Sequence, residues 1–185
     1  QPLDCLVALK NGPIKTLHDL KGKRIAHVAG FSTVILSAML NHNGVKLNQV
    51  KQVAMSHDLT QGLMAGRIDA FTGAMRNIEP FEMQIAGKPP RLFYPEKNGV
   101  PPYDELILVV NKNEANTPNI KKFVVALQQG MNYLKQHPKK SWQAFDKAYP
   151  ELNNQLNHLS WQASIPYFAD NVTAFDQAKW QRFGV

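Results

Sequence analysis

Residues 66–79 read Gly-Arg-Ile-Asp-Ala-Phe-Thr-Gly-Ala-Met-Arg-Asn-Ile-Glu. The apolar run in the middle of this stretch ends at Gly73, and the pattern predicts a short buried strand. Arg76, Asn77 and Glu79 follow the strand. Ligands of open α/β sheets bind in the crevice outside the carboxyl ends of the strands, so we expect these side chains to contact a ligand. The alternative is an ordinary ion pair at a helix start on the surface.

The composition is that of an ordinary globular protein. The chain has 185 residues, of which 44% are hydrophobic and 19% charged, and its net charge is +7. This length allows one to two domains. The positive charge raises the possibility of nucleic-acid binding, but the lysines and arginines are spread thinly and form no basic stripe. We therefore expect a solvated surface and no nucleic-acid partner.

Cysteine and histidine usage gives no sign of a metal site. Cys5 is the single cysteine, which excludes an intrachain disulfide, and we expect it to be a small buried hydrophobe. The 6 histidines are scattered without metal-ligand spacing, so no metal, cofactor or catalytic residue is predicted. His57 beside Asp58 suggests a catalytic dyad, but a helix-capping aspartate next to an exposed histidine is the preferred interpretation.

The start of the sequence gives no direct information on localisation. Gln1 is not a methionine, and no leader with a charged and then an apolar part precedes Pro2. We therefore expect a mature form or an internal piece of a longer protein. A strand is predicted over residues 3–9, at the very start of the sequence, and this suggests that the sequence begins inside a domain.

A second ligand-facing segment is predicted after a strand over residues 24–29. The strand leads into Gly30, Phe31, Ser32 and Thr33, and an amphipathic helix follows. The unpaired N–H groups of such a helix start suit a phosphate, a carboxylate or another acceptor-rich group. An ordinary N-cap by Ser32 or Thr33 would explain the same pattern. The segment gains weight because it lies in the same predicted crevice as the first group.

Strands and helices alternate through the first half of the chain, which predicts parallel βαβ units. The most apolar strand is predicted over residues 106–110. From Thr117 onward, apolar residues recur at helical spacing and predict three amphipathic helices, whose apolar faces need another body to cover. The simplest such body is a second lobe that this sequence lacks.

Four segments resemble the bacterial solute-binding proteins of ABC transporters. They are residues 2–9, Asp-Leu-Lys-Gly-Lys-Arg-Ile at 19–25, Gly-x-Ile-Asp-Ala at 66–70 and Pro-x-Tyr-Asp-Glu-Leu at 101–106. Within this group the chain is similar to the branch that also contains the fungal thiamine-pyrimidine synthases. The segments at 73–79 and 101–106 point more specifically to proteins that bind thiamine pyrimidine precursors.

This resemblance implies an α/β fold of the type II periplasmic-binding-protein kind, with two lobes and a ligand between them. Residues 3–125 would form the second lobe, a mixed, mostly parallel sheet with flanking helices. Residues 126–185 would be a helical segment that belongs to, or packs on, the absent first lobe. The implied protein is the substrate-binding component of an ABC importer, which is periplasmic or otherwise extracytoplasmic and docks on a membrane permease.

The implied ligand is formylaminopyrimidine or hydroxymethylpyrimidine. Its contacts would fall on Arg76, Asn77 and Glu79, with the turn of residues 30–33 opposite. The Glu79 carboxylate can accept from the exocyclic amine of an aminopyrimidine and share a proton with the adjacent ring nitrogen, while Asn77 offers both a donor and an acceptor. A sulfonate or taurine-like anion is the alternative ligand, and it would use Arg76 but be opposed by Glu79.

The resemblance also bears on catalysis. The fungal synthases carry a histidine- and cysteine-rich active-site segment, and the present sequence contains no such segment. We therefore expect a receptor that is not an enzyme. A pyrimidine-synthase-like enzyme and the effector-sensing part of a transcription regulator are the alternatives.

Overall fold

The structure is a computed structural model and describes residues 2–28, 31–55 and 57–182. The chain divides into two compact units, Pro2–Pro102 and the residues from Tyr103 onward. The first unit holds the sheet, and the second is helical.

A five-stranded mixed sheet forms the first unit, with the strand order β3-β2-β4-β1-β5. The strands are β1 (Asp4–Leu9), β2 (Arg24–His27), β3 (Lys51–Ala54), β4 (Ala70–Met75) and β5 (Pro90–Phe93). Strand β2 pairs in parallel with β3 and β4, whereas β1 is antiparallel to both β4 and β5. Only β1 therefore runs against the other strands, and the predicted mixed, mostly parallel sheet is confirmed.

Helices cover both faces of this sheet. They are α1 (Phe31–His42), α2 (Leu59–Met64) and α3 (Glu79–Ile85), with short 3-10 turns at Leu17–Leu20, Leu47–Gln49 and Pro95–Lys97. One face buries Cys5, Val7, Ala26, Phe71 and Ala74 against Leu63, Ile68 and Met83. On the other face, α1 lies against β4 and fully buries Leu36, Met39 and Leu40. The expectation that Cys5 is a small buried hydrophobe is confirmed, because it lies in β1 and is fully buried.

Two aspartates lie at the starts of short helical segments. Thr16 precedes the 3-10 turn at Leu17–Leu20, and the Asp19 carboxylate accepts hydrogen bonds from the Thr16 backbone N–H (2.8 Å) and hydroxyl (3.0 Å). Asp58 precedes α2 as expected, but it has φ +59° and its side chain makes no capping hydrogen bond within the described residues.

The second unit contains α4 (Pro118–Gln136), α5 (Pro138–Ala148), α6 (Gln155–Ser164) and the short α7 (Gln177–Gln181). The strand predicted over residues 106–110 is wrong, because these residues have no regular structure and their side chains are 44% to 85% exposed. An apolar run becomes a strand only when another strand supplies hydrogen bonds, and the described sheet pairs none with it.

The helices of the second unit pack through aromatic side chains. The Trp142 ring of α5 stacks on the His158 ring of α6, with 4.9 Å between the ring centroids. The ring centroids of Phe145 and Trp161 are 5.2 Å apart. None of the described residues of α4, α5 and α6 is fully buried. In the described part of the chain, no helix combines the length and the apolar character that crossing a membrane requires.

Candidate functional site

The carboxyl ends of β2 and β4 meet at one edge of the sheet, which we call the crevice edge. It comprises His27 and Val28, the first turn of α1, and the residues from Thr72 to Glu79, with Asp4 at the adjoining start of β1. His27 pairs with Thr72 in the parallel register. Because parallel strands end at the same edge, this is where the sequence predicts a ligand.

Phe31, Ser32 and Thr33, which the sequence predicts to precede the helix, are instead its first residues and lie at this edge. Gly30 falls outside the described residues, and Phe31 is the first residue of α1. The largely buried Ser32 donates a hydrogen bond from its hydroxyl to the carbonyl of Val28. The Thr33 hydroxyl lies 3.1 Å from Nδ1 of His27. Ser32 and Thr33 are thus inside the first turn of α1, and their hydroxyls link it to the end of β2.

A β-bulge at Gly73 shapes the end of β4. Cys5 pairs with Ala74 but Leu6 pairs with Thr72, so Gly73 is the extra residue. Its φ of +92° is a conformation that glycine adopts at little cost, and a Cβ at this position would lie 3.7 Å from Cβ of Ser32. The bulge brings the end of β4 next to the start of α1. The two segments predicted to share a crevice therefore do meet.

Arg76 is held in a buried ion pair. Its Nη1 and Nη2 atoms donate to the two carboxylate oxygens of Glu96 at 2.7 and 2.9 Å, and Nη2 also donates to the carbonyl of Asp4 at 3.0 Å. The Cζ atom stands 4.3 Å from the centroid of the Tyr94 ring. The guanidinium therefore ties β1, β4 and the turn at Pro95–Lys97 together. A ligand contact by Arg76 stays a prediction.

The pKa of Glu96 reflects this pairing. Burial disfavours the charged carboxylate, but the hydrogen bonds from Arg76, the backbone N–H of Glu96 and the charge of Arg76 outweigh it and hold the pKa of Glu96 below its ordinary value of 4.5. The pair is therefore ionised at neutral pH. No sequence pattern pointed to Glu96, although an arginine that closes a buried strand generally requires a carboxylate partner.

Asn77 and Glu79 lie where β4 leads into α3. Asn77 is buried. Glu79 is the first residue of α3, is partly exposed, and accepts a hydrogen bond at Oε2 from the backbone N–H of Met75 at 2.8 Å. Burial raises the pKa of Glu79 above 4.5, against the opposing effect of its backbone hydrogen bonds. The ligand contact of Glu79 stays a prediction.

The sequence reading did not include Asp4 and His27 among the site residues. Asp4 is the first residue of β1 and reaches the crevice edge because β1 runs antiparallel to β4. The sequence pattern predicts parallel units and gives no signal for this reversal. His27 was visible only as one of several scattered histidines, and its place at the end of a parallel strand is the signal that could have identified it.

The described residues at this edge form no cluster of side chains that could bind a metal ion. Within residues 2–28, 31–55 and 57–182, no group of three or more histidine, cysteine, aspartate or glutamate side chains could hold a metal ion.

Comparison with known families matches residues 1–141 to the family described as "NMT1/THI5 like". The chain belongs to this family. The match covers the whole sheet unit and extends through α4, and it places the crevice edge inside the part of the chain that is shared with the family. The predicted family resemblance is confirmed.

Three relatives illustrate the similarity. The chain is 39% identical to the "Putative thiamine biosynthesis protein" of Haemophilus influenzae over 98% of its own length and 58% of the relative. It is 24% identical to the 4-amino-5-hydroxymethyl-2-methylpyrimidine phosphate synthase THI5 of Saccharomyces cerevisiae over 93% of this chain and 54% of the synthase. It is 22% identical to the 4-amino-5-hydroxymethyl-2-methylpyrimidine phosphate synthase of Legionella pneumophila, over 100% of this chain and 59% of that synthase. The chain thus spans a little over half of each relative.

Solved structures confirm the fold class. The chain is similar to the alkanesulfonate-binding protein SsuA from Xanthomonas axonopodis pv. citri, with a TM-score of 0.66 and 18% identity over 97% of this chain and 61% of that protein. The periplasmic aliphatic sulphonate binding protein SsuA from Escherichia coli gives a TM-score of 0.67 at 16% identity, over 91% and 53%. The chain therefore has the fold of periplasmic solute-binding proteins.

The prediction that the chain is not an enzyme is contradicted. Relatives from yeasts and from Legionella pneumophila are named as pyrimidine phosphate synthases, and they match 88% to 100% of this chain at 22% to 24% identity. The prediction depends on the absence of a histidine- and cysteine-rich segment, but the chain covers only 51% to 59% of those enzymes. The absence of that segment here therefore does not separate this chain from the synthases.

Proposed function

We propose that this protein binds a thiamine pyrimidine precursor, formylaminopyrimidine or hydroxymethylpyrimidine, at the crevice edge. In the whole protein this binding would serve an ABC importer, with the protein as its periplasmic or extracytoplasmic substrate-binding component and a membrane permease as its partner. The observation that carries the proposal is Glu79, a partly exposed carboxylate with a raised pKa at the crevice edge of a thiamine-related family member.

Glu79 suits the amidine-like edge of an aminopyrimidine. One carboxylate oxygen can accept from the exocyclic amine while the other shares a proton with the adjacent ring nitrogen. Because burial favours the protonated form of Glu79, the side chain can supply or accept that shared proton. Asn77 would add a donor and an acceptor beside it.

The start of α1 would hold the opposite side of the ligand. Gly30, Phe31, Ser32 and Thr33 are the proposed contacts there, and Arg76 completes the proposed set. In this arrangement the Ser32 and Thr33 hydroxyls, fixed by Val28 and His27, give the ligand a preorganised polar wall.

The ion pair of Arg76 supports an uncharged or donor-rich ligand over a sulfonate. A sulfonate needs an uncompensated positive charge or several directed donors, whereas the Arg76 guanidinium is already neutralised by two short hydrogen bonds to Glu96. Glu79 adds negative charge at the same edge. The similarity to the two sulfonate-binding proteins is at 16% to 18% identity and supports the fold alone.

We further propose that residues 3–125 form one lobe of a two-lobed protein, with residues 126–185 belonging to or packing on the other lobe. The ligand would bridge the lobes and shift the hinge toward the closed form, which the permease recognises. The exposed apolar run at residues 106–110 and the absence of fully buried residues in the described α4, α5 and α6 support a further body covering this unit.

Pyrimidine phosphate synthesis is the second candidate function. The observation that favours it is the synthase name carried by the relatives from Saccharomyces cerevisiae and Legionella pneumophila, which match nearly the whole chain. Both candidates require recognition of the same pyrimidine. They differ in whether a new pyrimidine is made.

The test is isothermal titration of the full-length protein with hydroxymethylpyrimidine, formylaminopyrimidine and taurine. We expect tight binding of at least one pyrimidine, none of taurine, and a loss of about tenfold or more in Glu79→Gln from the weakened charge-assisted hydrogen bonds. Glu151→Gln, an exposed position in the helical unit, removes the same charge and should bind as the wild type does.

Taurine binding, or pyrimidine binding that is indifferent to Glu79→Gln, would overturn the proposed ligand. Mass spectrometry of the same mixtures separates the two candidate functions. With a phosphorylated organic precursor added to these mixtures as the source of phosphate, recovery of every component unchanged supports a receptor, whereas appearance of a new phosphorylated pyrimidine supports the synthase.

A further inference from the structure

We propose that Asp4 is a second ligand-binding carboxylate of the crevice edge, and that it accepts a hydrogen bond from the donor on the 5-substituent of the pyrimidine. The inference rests on the proposed function and names a residue outside the predicted site. In hydroxymethylpyrimidine that donor is the hydroxyl O–H, and in formylaminopyrimidine it is the amide N–H.

The topology places Asp4 at this edge. It begins β1, the strand that runs against all the others, and pairs with Met75 at the end of β4. Its side chain is partly exposed, so a ligand can reach it. A carboxylate at the start of β1 thus adjoins the residues from Gly73 to Glu79.

The Gly73 bulge orients the Asp4 carboxylate. Gly73 donates its backbone N–H to Oδ1 of Asp4 at 3.1 Å, and two residues later Met75 donates to Glu79 at 2.8 Å. Both carboxylates are therefore anchored to the end of the same strand. Charge-assisted hydrogen bonds of this kind fix a side chain in one orientation, which is what a specific ligand contact needs.

Arg76 fixes the backbone of Asp4. Its Nη2 donates to the Asp4 carbonyl at 3.0 Å, and its own backbone N–H donates to the carbonyl of Leu3 at 2.8 Å. Because the guanidinium is also paired with Glu96, the start of β1 is held by a buried side chain with several hydrogen bonds. Arg76 is then a positioning residue for Asp4 in addition to its proposed place in the site.

A buried hydroxyl beside this anchor points independently to a bound polar group. Thr72 is fully buried, and its Oγ1 has no hydrogen-bond partner within the described residues. Thr72 pairs with Leu6, and Asp4 lies two residues before Leu6, so the alternation of a strand places Asp4 and Thr72 on the same face. A buried hydroxyl without a partner is costly, and a ligand hydroxyl or a bound water next to Asp4 would satisfy it.

The chemistry of the ligand assigns a different hydrogen-bonding role to each of the two carboxylates. Glu79 would take one amine N–H and the ring nitrogen, so the donor of the 5-substituent, on the other side of the amine, is left for a second acceptor. Asp4 supplies the acceptor for it and Thr72 a group that can both donate and accept. Two carboxylates at the edge select a donor-rich ring and oppose an anion.

The test compares two ligands and two protein variants by isothermal titration of the full-length protein. The ligands are hydroxymethylpyrimidine and 4-amino-2,5-dimethylpyrimidine, which differ only in the hydroxyl. In Asp4→Asn the amide oxygen must stay on the N–H of Gly73, so its NH₂ group replaces the second carboxylate oxygen. Asp4→Ala removes both oxygens, and Asp146→Asn in the helical unit is the control with the same change of charge.

We expect Asp4→Asn and Asp4→Ala to bind hydroxymethylpyrimidine about tenfold to a hundredfold more weakly, and to bind the dimethyl analogue as the wild type does. An equal loss for both ligands, or no loss for either, would overturn the role of Asp4. Wild-type protein that binds neither of these ligands, nor formylaminopyrimidine, would instead overturn the proposed function. Circular dichroism of each variant verifies that it is folded, and Asp4→Ala keeps the test decisive if Asp4→Asn is unfolded.

Discussion

Replacing Glu96 by glutamine tests whether the Arg76 ion pair braces the crevice edge. The side chains of Arg76 and Glu96 are only 5% and 16% exposed, and two hydrogen bonds of 2.7 and 2.9 Å join them. Removing one partner of a buried pair costs about 3–5 kcal/mol because the other charge is left uncompensated. The glutamine oxygen can keep one hydrogen bond, so we expect a loss of about 2–3 kcal/mol of unfolding free energy.

The assay must report on the sheet unit. Trp142, Trp161 and Trp180 all lie in the helical unit, so tryptophan fluorescence would follow the wrong part of the chain. Urea unfolding by far-ultraviolet circular dichroism, together with hydrogen exchange of the β1 and β4 amides, reports on the braced strands. Asp170→Asn is the control, because it breaks the Lys135 ion pair at a fully exposed carboxylate and should leave stability unchanged.

The double variant Arg76→Met/Glu96→Gln tests whether the Arg76–Glu96 ion pair itself stabilises the sheet unit. It removes both charges, so no buried cation remains unpaired, and we expect it to be more stable than Glu96→Gln alone. The single variant Arg76→Met completes the comparison. If Glu96→Gln is as stable as the exposed control, or if the losses of Arg76→Met and Glu96→Gln simply add in the double variant, the buried pair does not brace the crevice edge.

Three further predictions concern the sheet unit. Gly73→Ala and Gly22→Ala both place alanine at positive φ (+92° and +72°) and should each cost about 1–2 kcal/mol, but only the first should also weaken ligand binding in a titration; equal binding by both variants would contradict a role for the bulge. The raised pKa of Glu79 means that the folded state binds its proton more readily, so stability should fall as pH rises from 4.5 through the folded pKa. The lowered pKa of Glu96 has the opposite sign, so its contribution is complete above 4.5 and is lost as pH falls through the folded pKa. Urea unfolding as a function of pH should show both slopes, and Glu79→Gln and Glu96→Gln should each abolish one; a slope that survives its substitution has another origin. Phe71→Ala should cost about 3–5 kcal/mol in urea unfolding, because Phe71 is fully buried in the core, and a loss under 1 kcal/mol would show that the core had repacked.

The fold was predictable from the sequence wherever local patterns decide it. The apolar run before Gly73 predicts a strand that the structure has as β4, and a helix, α1, follows β2 as expected. Local patterns fail where the partner decides the structure. The apolar run at residues 106–110 has the composition of a strand, yet in the described chain it has no strand to pair with and stays irregular.

The candidate site was predictable as a region and less so as a set of contacts. Arg76, Asn77 and Glu79 follow β4 and lie at its end, as the spacing indicates. The pairing of Arg76 with Glu96, 20 residues later in the chain, depends on how the turn at Pro95–Lys97 folds back, and no short-range pattern encodes that return. The place of Asp4 depends likewise on strand direction, which periodicity does not reveal.

The ion pair between Arg76 and Glu96 bears on which ligand the crevice edge would accept. If the Arg76 guanidinium were unpaired, it would be the natural anchor for an anion, as the sequence alternative of a sulfonate requires. Glu96 neutralises it within the protein, so Asp4 and Glu79 set the sign of the field at this edge. The raised pKa of Glu79 follows first from its burial, with the charge of Glu82 adding to the effect. A ligand that brings N–H donors would offset the unfavourable burial of the Glu79 carboxylate, whereas an anion would add to it, and this supports the proposal of a donor-rich pyrimidine over a sulfonate.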